Sequence, residues 1–227
     1  MMKFALKNLK ESNREYVYRT LKENIINFSY VPGDMISEPE ICSLFNMSRT
    51  PIREAFIKLS EDNLVNIYPQ KGTFISRIST SRLDEAMFMR ESLEKSVFKV
   101  AQEKLTPEDI IELKKLVKFQ EGILEFGSDI KEFFYLDNQF HATIFNKCGF
   151  SSIWNSIENI SQDYNRFRFL DTISKINATK VIEQHSQIIE ALETKNEELF
   201  NQIISEHLRN ICPQLELFKE KFPNYFE

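Results

Sequence analysis

The chain has 227 residues, of which 42% are hydrophobic and 20 are Phe, so it can bury a sizeable core in one or two domains. Only 5 Gly and 7 Pro, with abundant Glu, Lys, Leu and Ile, favour a mostly helical protein over a β-sandwich. No segment has the apolar length of a signal peptide or a membrane span, so a cytoplasmic protein without membrane association is expected. Cys42, Cys148 and Cys212 are widely spaced, which argues against a disulfide framework and a zinc knuckle.

The charge is distributed unevenly along the chain. The overall charge of -5 argues weakly against a nucleic-acid partner. Residues 1–77, however, contain 11 Lys plus Arg and 9 Asp plus Glu, whereas the remainder contains 18 and 25. A mildly basic head on an acidic body is compatible with a head that contacts DNA.

Three helices are predicted in the head. The first covers about residues 13–28 and ends at a Pro-Gly turn. The second opens at Ser37, which has capping-box spacing to Glu40. The third follows a two-residue turn and is predicted to begin at Thr50, which caps it, with Pro51 at its first position. Two short helices joined by a tight turn indicate a helix-turn-helix.

The third helix combines one apolar face with a cationic beginning. Ile52, Phe56 and Leu59 recur at helical spacing and predict the buried side. The first turn of a recognition helix approaches base edges and phosphates, where guanidinium groups and hydroxyls are useful. The alternative for this helix taken alone is a solvated helix start with surface arginines. The candidate DNA contacts at its beginning are Ser48, Arg49, Thr50 and Arg53.

A β-hairpin is predicted after the third helix. Val65 and Ile67 form one alternating run, and Phe74 and Ile75 belong to a second, with a Pro-Gln-Lys-Gly turn between them. Such a hairpin is the wing of a winged helix. Lys71 and Gly72 at its tip are candidate contacts to the DNA backbone or minor groove, because lysine binds phosphate and glycine permits close approach.

The segment from Ser37 to Ile75, with its SRTPIREA and KGTFI runs, resembles the DNA-binding domain of the GntR family of bacterial transcription regulators. The resemblance implies that the residues matching Ser48, Arg49, Thr50, Arg53 and Gly72 contact operator DNA. Pro39 departs from the family pattern, since many relatives have a basic residue early in the second helix. One phosphate or base contact of those relatives is therefore in doubt here.

The body is predicted to contain only helices, which would bury their apolar stripes in an antiparallel bundle. The division expected is a winged helix-turn-helix at 1–77, a linker at 78–82 and a helical domain at 83–227. Pro213 is expected to kink the last helix. The predicted helices cover about 81–101, 106–126, 128–147, 151–167, 177–194 and 196–218.

Four polar residues of the body are predicted to point into its interior. Asp137 and His141 lie one helical turn apart, while His185 and His207 share stripes with isoleucines and leucines. A buried carboxylate must be satisfied by a partner. The partner could be a hydrogen-bonded network of core histidines, or a divalent metal ion held by three imidazoles and the carboxylate, with positions left open for a ligand.

The FYLDNQFHATI run at 134–144, the EQH run at 183–185 and the EHL run at 206–208 resemble the FCD ligand-binding domain of the FadR-type branch of that family. The resemblance implies a divalent metal at Asp137, His141, His185 and His207, which helps to bind a small carboxylate effector. Zinc, nickel and manganese are the candidate metals. Arg90 matches an arginine often found in the effector pocket, and the alternative is a surface salt bridge.

The function expected is therefore a transcription regulator, and more specifically a repressor, that binds operator DNA as a homodimer. Two heads on a two-fold axis read a palindrome and combine their affinities. A small organic acid bound at the metal would control the affinity for the operator. An enzyme is not expected. The alternatives are a metal-dependent hydrolase and a DNA-binding protein whose body only dimerises.

Overall fold

A computed structural model describes residues 4, 6–127 and 129–227 and divides the chain into two compact units. The first unit contains the described residues up to Thr80 together with Leu217–Glu227, and the second contains Ser81–Glu216. The predicted fold class is confirmed. A winged helix-turn-helix with a small antiparallel sheet precedes an all-helical bundle.

The helices of the first unit have the order expected of a helix-turn-helix. Ser12 and Glu15 form a capping box at the start of α1. Asn46 adopts the left-handed conformation (φ 51°) that turns the chain from α2 into α3. The observed bounds are α1 Asn13–Ile26, α2 Glu38–Phe45 and α3 Arg49–Glu61.

Two details of the predicted helix starts were wrong. The N-cap of α3 is Ser48 and not Thr50, so Pro51 occupies the third helical position and not the first. Ser37 is the N-cap of α2, but its side chain makes no capping hydrogen bond, so the predicted capping box with Glu40 is absent. The first error shifts the start of α3 by two residues, the second shifts no helix start, and the exposed face of α3 is as predicted.

The predicted hairpin is present, and a short third strand joins it. The strands are β1 Met35–Ile36, β2 Val65–Tyr68 and β3 Gly72–Ile75, in the antiparallel order β1-β3-β2. Val65 pairs with Ile75 and Tyr68 with Gly72, which places residues 69–71 in the turn. The sheet therefore presents the predicted wing.

The second unit is a bundle in which α5 packs on α6 and α9, and α6 also packs on α7 and α8. Its core includes Phe98, Phe140, Ile188 and Ile204, which are fully buried. The helices are α4 Thr80–Lys104, α5 Pro107–Phe126, α6 Ile130–Lys147, α7 Ser151–Ile160, α8 Gln162–Ser174, α9 Ala178–Thr194 and α10 Glu197–Leu208.

Three boundaries in this unit differ from the predicted ones. The helix α4 begins at Thr80, inside the predicted linker 78–82. The single helix predicted at 151–167 is two helices, because the chain turns at Ser161. Ser128, the predicted start of the third body helix, lies outside the described residues, and α6 begins at Ile130 after the N-cap Asp129.

The C-terminal segment belongs to the first unit, whereas the sequence-based division placed it in the helical domain 83–227. The prediction of a single kinked helix at 196–218 was wrong, because a 3-10 turn at Cys212–Gln214 separates α10 from α11 Leu215–Lys221. The N–H of Ile78 donates to the carbonyl of Tyr225 at 2.8 Å, and the N–H of Glu227 donates to the carbonyl of Ile78 at 3.0 Å. No helix among the described residues is long and apolar enough to span a membrane.

Candidate DNA-binding surface and candidate metal centre

The exposed beginning of α3 carries the predicted DNA-contacting residues. Ile52, Ala55, Phe56 and Leu59 are buried and hold the opposite face of the helix against the core of the first unit. Acidic residues are absent from the first turn, so the positive end of the helix dipole is not neutralised there. The side chains left exposed at this end are those of Ser48, Arg49, Thr50 and Arg53.

Arg53 has a partner that sequence reasoning missed. Its Nε donates to both carboxylate oxygens of Glu38 at 2.9 and 3.0 Å, which links the start of α2 to α3. Arg53 remains exposed, and Glu38 is only partly so. A carboxylate held at Nε restricts the direction of the guanidinium. The two residues are separated by fifteen positions in different helices, so no local spacing predicted the pair.

The wing tip has the geometry that requires glycine. Gly72 has φ +117°, a conformation that residues with a Cβ rarely adopt. A Cβ at this position would also lie 3.3 Å from Met35 Sδ on β1. Lys71 next to it is exposed in the turn between β2 and β3. The structural constraint on Gly72 is therefore sufficient to explain the glycine, independently of any contact with DNA.

In the second unit, the four predicted polar residues converge, which the sequence alone could not establish. Asp137 and His141 come from α6, His185 from α9 and His207 from α10. All four are buried, and one potential ligand atom of each lies within 4.8 Å of those of the others. The Nε2 atoms of His141 and His207 are 3.0 Å apart. Asp137 Oδ1 lies 3.4 Å from His185 Nε2 and 3.9 Å from His207 Nε2.

The outward-facing nitrogen of each imidazole lies near an oxygen acceptor. Glu94 Oε2 is 2.7 Å from Nδ1 of His141. Gln120 Oε1 is 2.8 Å from Nδ1 of His185, and Gln184 Oε1 is 3.3 Å from Nδ1 of His207. Acceptors at all three Nδ1 atoms favour the tautomer with the proton on Nδ1. The three Nε2 lone pairs are then free and directed at the interior of the cluster.

Electrostatics favours the protonation states that metal ligands need. Burial lowers the pKa of His185 and lowers that of His207 well below its usual value, so both imidazoles are neutral at neutral pH. Burial alone would raise the pKa of Asp137, but Arg168 and His185 outweigh it and hold this pKa well below the usual range. Arg168 Nη1 lies 3.2 Å from Asp137 Oδ2. The cluster thus contains two neutral imidazoles, those of His185 and His207, and an ionised carboxylate.

Two buried arginines lie beside the cluster, and only Arg90 was predicted. Arg90 Nε donates to Glu94 Oε1 at 2.6 Å, and its guanidinium lies 5.4 Å from the ring centre of Trp154. Its Nη2 has no hydrogen-bond partner. Arg168 lies over Phe134 at 4.6 Å, and its Nε likewise lacks a partner. Arg90 is thus buried, and the alternative of a surface salt bridge is wrong.

Comparison with known protein families identifies both units. The FCD domain family matches residues 85–210, which is more than half of the chain, and the family of bacterial regulatory proteins called gntR matches residues 13–75. The chain belongs to the GntR family and carries an FCD domain. It is therefore a DNA-binding transcription regulator and not an enzyme.

Individual GntR relatives match nearly the whole chain. The HTH-type transcriptional repressor RspR of Escherichia coli K12 is 28% identical over 212 residues, which cover 93% of this chain and 92% of RspR. The gluconate operon transcriptional repressor of Bacillus subtilis is 25% identical, covering 86% and 82% of the two chains. The solved structure of E. coli McbR/YncC has a TM-score of 0.78 at 23% identity, covering 92% of this chain and 99% of McbR. This structural likeness supports the fold.

Proposed function

We propose that this GntR regulator represses transcription by binding operator DNA as a homodimer, and that a small carboxylate bound at a divalent metal ion in the FCD domain controls that binding. The observation that carries the proposal is the convergence of three imidazole Nε2 atoms and a carboxylate oxygen in a buried site. Regulators of this family bind operator DNA and typically dimerise.

The residues fit a divalent cation better than a network of hydrogen bonds. With the protons on the Nδ1 atoms, the Nε2 atoms of His141 and His207, 3.0 Å apart, repel each other unless a cation lies between them. Nitrogen ligands at the usual metal distance of about 2.1 Å have a separation of about this size. His185 Nε2 is a buried nitrogen whose nearest acceptor, Asp137 Oδ1, lies at 3.4 Å without good hydrogen-bond geometry, whereas a network should have supplied a well-directed partner. Asp137, His141, His185 and His207 would hold the ion.

A cation in this site would supply a positively charged centre with positions free for a carboxylate oxygen. Arg90 and Arg168 are the side chains of this chain suited to hold the same carboxylate, because each has a buried N–H group without a partner. Their stacking on Trp154, Tyr164 and Phe134 restricts the direction of both guanidiniums.

For DNA binding, we assign base or phosphate contacts to Arg49 and Arg53 and phosphate contacts to Ser48, Thr50 and Lys71. Gly72 lets the wing backbone approach the duplex. The exposure of these side chains at the start of α3 and in the wing turn supports the assignment. Binding of the carboxylate would change operator affinity only through a difference in its affinity for the DNA-bound and DNA-free arrangements.

The first test is the metal content of protein purified without a histidine tag, determined by elemental analysis. We expect about one divalent ion per chain in the wild type and its loss in the His141→Ala, His185→Ala double variant. Asp137→Asn, which preserves side-chain volume, should also lose the ion, whereas the exposed Asp84→Asn should retain it. No ion after adding zinc, nickel or manganese would make the four residues a polar network and the body a dimerising bundle.

The second test measures operator affinity of the metal-loaded protein while small carboxylates are titrated. An effector should weaken binding by about 5- to 150-fold, and Asp137→Asn should abolish the response while keeping the affinity of the free protein. If no small acid changes the affinity of metal-loaded protein, control by a carboxylate is wrong even though the metal site stands.

A further inference from the structure

The helix α5 carries a second apolar stripe that its own bundle does not cover. Its buried stripe contains Leu113, Leu116 and Ile123. Successive residues of a helix are rotated by about 100° around its axis. This rotation places three apolar residues within about a third of the circumference of α5, on the side opposite the buried stripe: Ile111, Phe119 and Phe126. Phe119 is 62% exposed and Phe126 is 78% exposed. A helix packed on one side normally has a polar opposite side, so these rings indicate a second contact.

The helix α6 extends this stripe into a groove. Tyr135 is exposed and Leu136 is half-buried beside α5, and an open groove of about 610 Å³ runs between the two helices. Gly122 lies in the groove, and a Cβ there would meet only the Phe126 ring, at 3.9 Å. Burying an exposed phenylalanine removes apolar surface from water, so two exposed rings offer a substantial driving force for association.

The rim of the groove carries charges of both signs. Lys118, an exposed lysine that also pairs with Glu121 one turn along α5, lies on the α5 wall and Glu132 on the α6 wall. A two-fold axis places the same patch on both partners, so the α5 wall of one copy can face the α6 wall of the other. Lys118 of each copy then lies against Glu132 of the other copy. An aromatic centre with a charged rim is the composition of a protein–protein interface. The net negative charge of residues 78–227 disfavours nucleic acid as the occupant.

We propose that the α5–α6 groove face is the contact between two copies of this chain, with Phe119 and Phe126 at its centre and Lys118 paired with Glu132 of the second copy. The choice of a second copy rests on the proposed reading of operator DNA by two heads. The assignment of the face rests on the exposed rings and the rim charges, neither of which belongs to the metal centre or to the DNA-binding surface.

The test is sedimentation equilibrium of the full chain, without DNA, over a range of protein concentrations. We expect a wild-type dimer and, for Phe119→Glu, a dimer dissociation constant raised at least about a hundredfold, because a charge replaces a central aromatic residue. Phe88→Glu is the matched control, since Phe88 is a 73% exposed phenylalanine on α4 outside the groove. Its dissociation constant should stay within about threefold of the wild-type value.

A charge-reversal series tests the pairing of the rims. Lys118→Glu and Glu132→Lys alone should each raise the dissociation constant about tenfold, because like charges then face each other twice across the two-fold axis. The double variant should return to within about threefold of the wild type. A double variant no tighter than the single ones overturns this pairing.

The remaining outcomes are decisive as well. A wild type that stays monomeric, or a Phe119→Glu variant as tightly dimeric as the wild type, overturns the assignment. Equal dissociation in Phe88→Glu does the same. Circular dichroism and metal content measured on each variant show that its second unit is folded. A monomeric variant with its metal retained separates this result from a failure of the metal site.

Discussion

Glu94 connects the candidate metal centre to the buried Arg90, so Glu94→Gln tests both. One carboxylate oxygen lies 2.7 Å from His141 Nδ1 and the other accepts from Arg90 Nε at 2.6 Å. Glutamine keeps the volume but has one oxygen acceptor, so its amide N–H group must face one of the two donors. The substitution also leaves the charge of Arg90 buried without its partner.

Two magnitudes follow from this geometry. Removing one partner of a buried ion pair costs about 3–5 kcal/mol, so the free energy of unfolding should fall by about that amount. Losing the acceptor that orients a ligating imidazole typically lowers metal affinity about 10- to 100-fold. Calorimetric titration of metal into stripped protein measures the second effect, and urea unfolding of the stripped protein measures the first.

Glu103→Gln is the matched control because Glu103 is exposed on the same helix, and it should change unfolding by less than about 0.5 kcal/mol. If Glu94→Gln binds metal as tightly as the wild type, then Glu94 does not orient His141. If Glu94→Gln and Glu103→Gln lower the metal affinity equally, the cause is the lost negative charge on α4 and not the contact between Glu94 and His141.

Three further predictions concern other contacts. Glu38→Gln should free Arg53 and remove a negative charge near DNA, so non-specific DNA binding should tighten. The ratio of specific to non-specific affinity should fall about tenfold in gel-shift titrations, because Arg53 is no longer held in one direction. An unchanged ratio would contradict the role of Glu38 in orienting Arg53. Hydrogen bonds from Lys95, Ser205 and Arg209 lower the pKa of Glu91 to about 2, so its stabilisation is complete above about pH 4.5 and is lost as the pH falls toward 2. In urea unfolding, Glu91→Gln should thus be less stable than the wild type by about 1 kcal/mol at pH 7 and equal to it near pH 2. Deleting residues 223–227 should weaken operator binding without changing metal content, because the backbone hydrogen bonds of Tyr225 and Glu227 with Ile78 are lost. A normal operator affinity of the shortened chain would contradict a role of these hydrogen bonds in DNA binding.

The head was predictable because its signals are local. A cap, a turn and an apolar face lie within a dozen residues of each other in α3, and the alternation of β2 and β3 lies on either side of one turn. The two-residue strand β1 was missed because it pairs with β3 across nearly forty positions and is too short to show alternation. The Glu38–Arg53 pair was missed because it joins two different helices across fifteen positions, where no local spacing indicates it.

The break between α7 and α8 was missed for a different reason. The apolar positions on both sides of Ser161 stay nearly in phase, since a single residue interrupts the helix and neither glycine nor proline marks it. Periodicity alone therefore predicted a continuous helix. The consequence is functional, because α8 carries Arg168, which faces Asp137 and was not a candidate.

The candidate metal centre was predictable in its ligands but not in their support. Asp137 and His141 share one helix face, His185 and His207 lie on the apolar stripes of their helices, and the resemblance supported one metal site for all four. Glu94 had a signal, because it lies one turn after Arg90 on the same helix. Gln120 is a polar residue on the buried stripe of α5, which also points to an interior partner. That Gln120 meets His185, sixty-five positions away, follows only from tertiary packing.

The charges around the candidate metal centre predict what kind of ligand a metal-loaded site recruits. Arg90 and Arg168 carry two positive charges, and Glu94 and Asp137 carry two negative ones, while His185 and His207 are neutral. The charges of these two arginines and two carboxylates thus cancel without an ion. A divalent cation adds two charges to a buried site, where unbalanced charge is costly.

An anion that enters with the ion removes this imbalance, so metal and anion should bind cooperatively, each raising the affinity of the other by the same factor. A dianionic carboxylate restores the balance fully and a monoanionic one only in part. Calorimetric titrations of mono- and dicarboxylates into stripped and metal-loaded protein test this reasoning. Equal affinity of a dicarboxylate for the two forms would show that the charge of the ion is compensated within the protein.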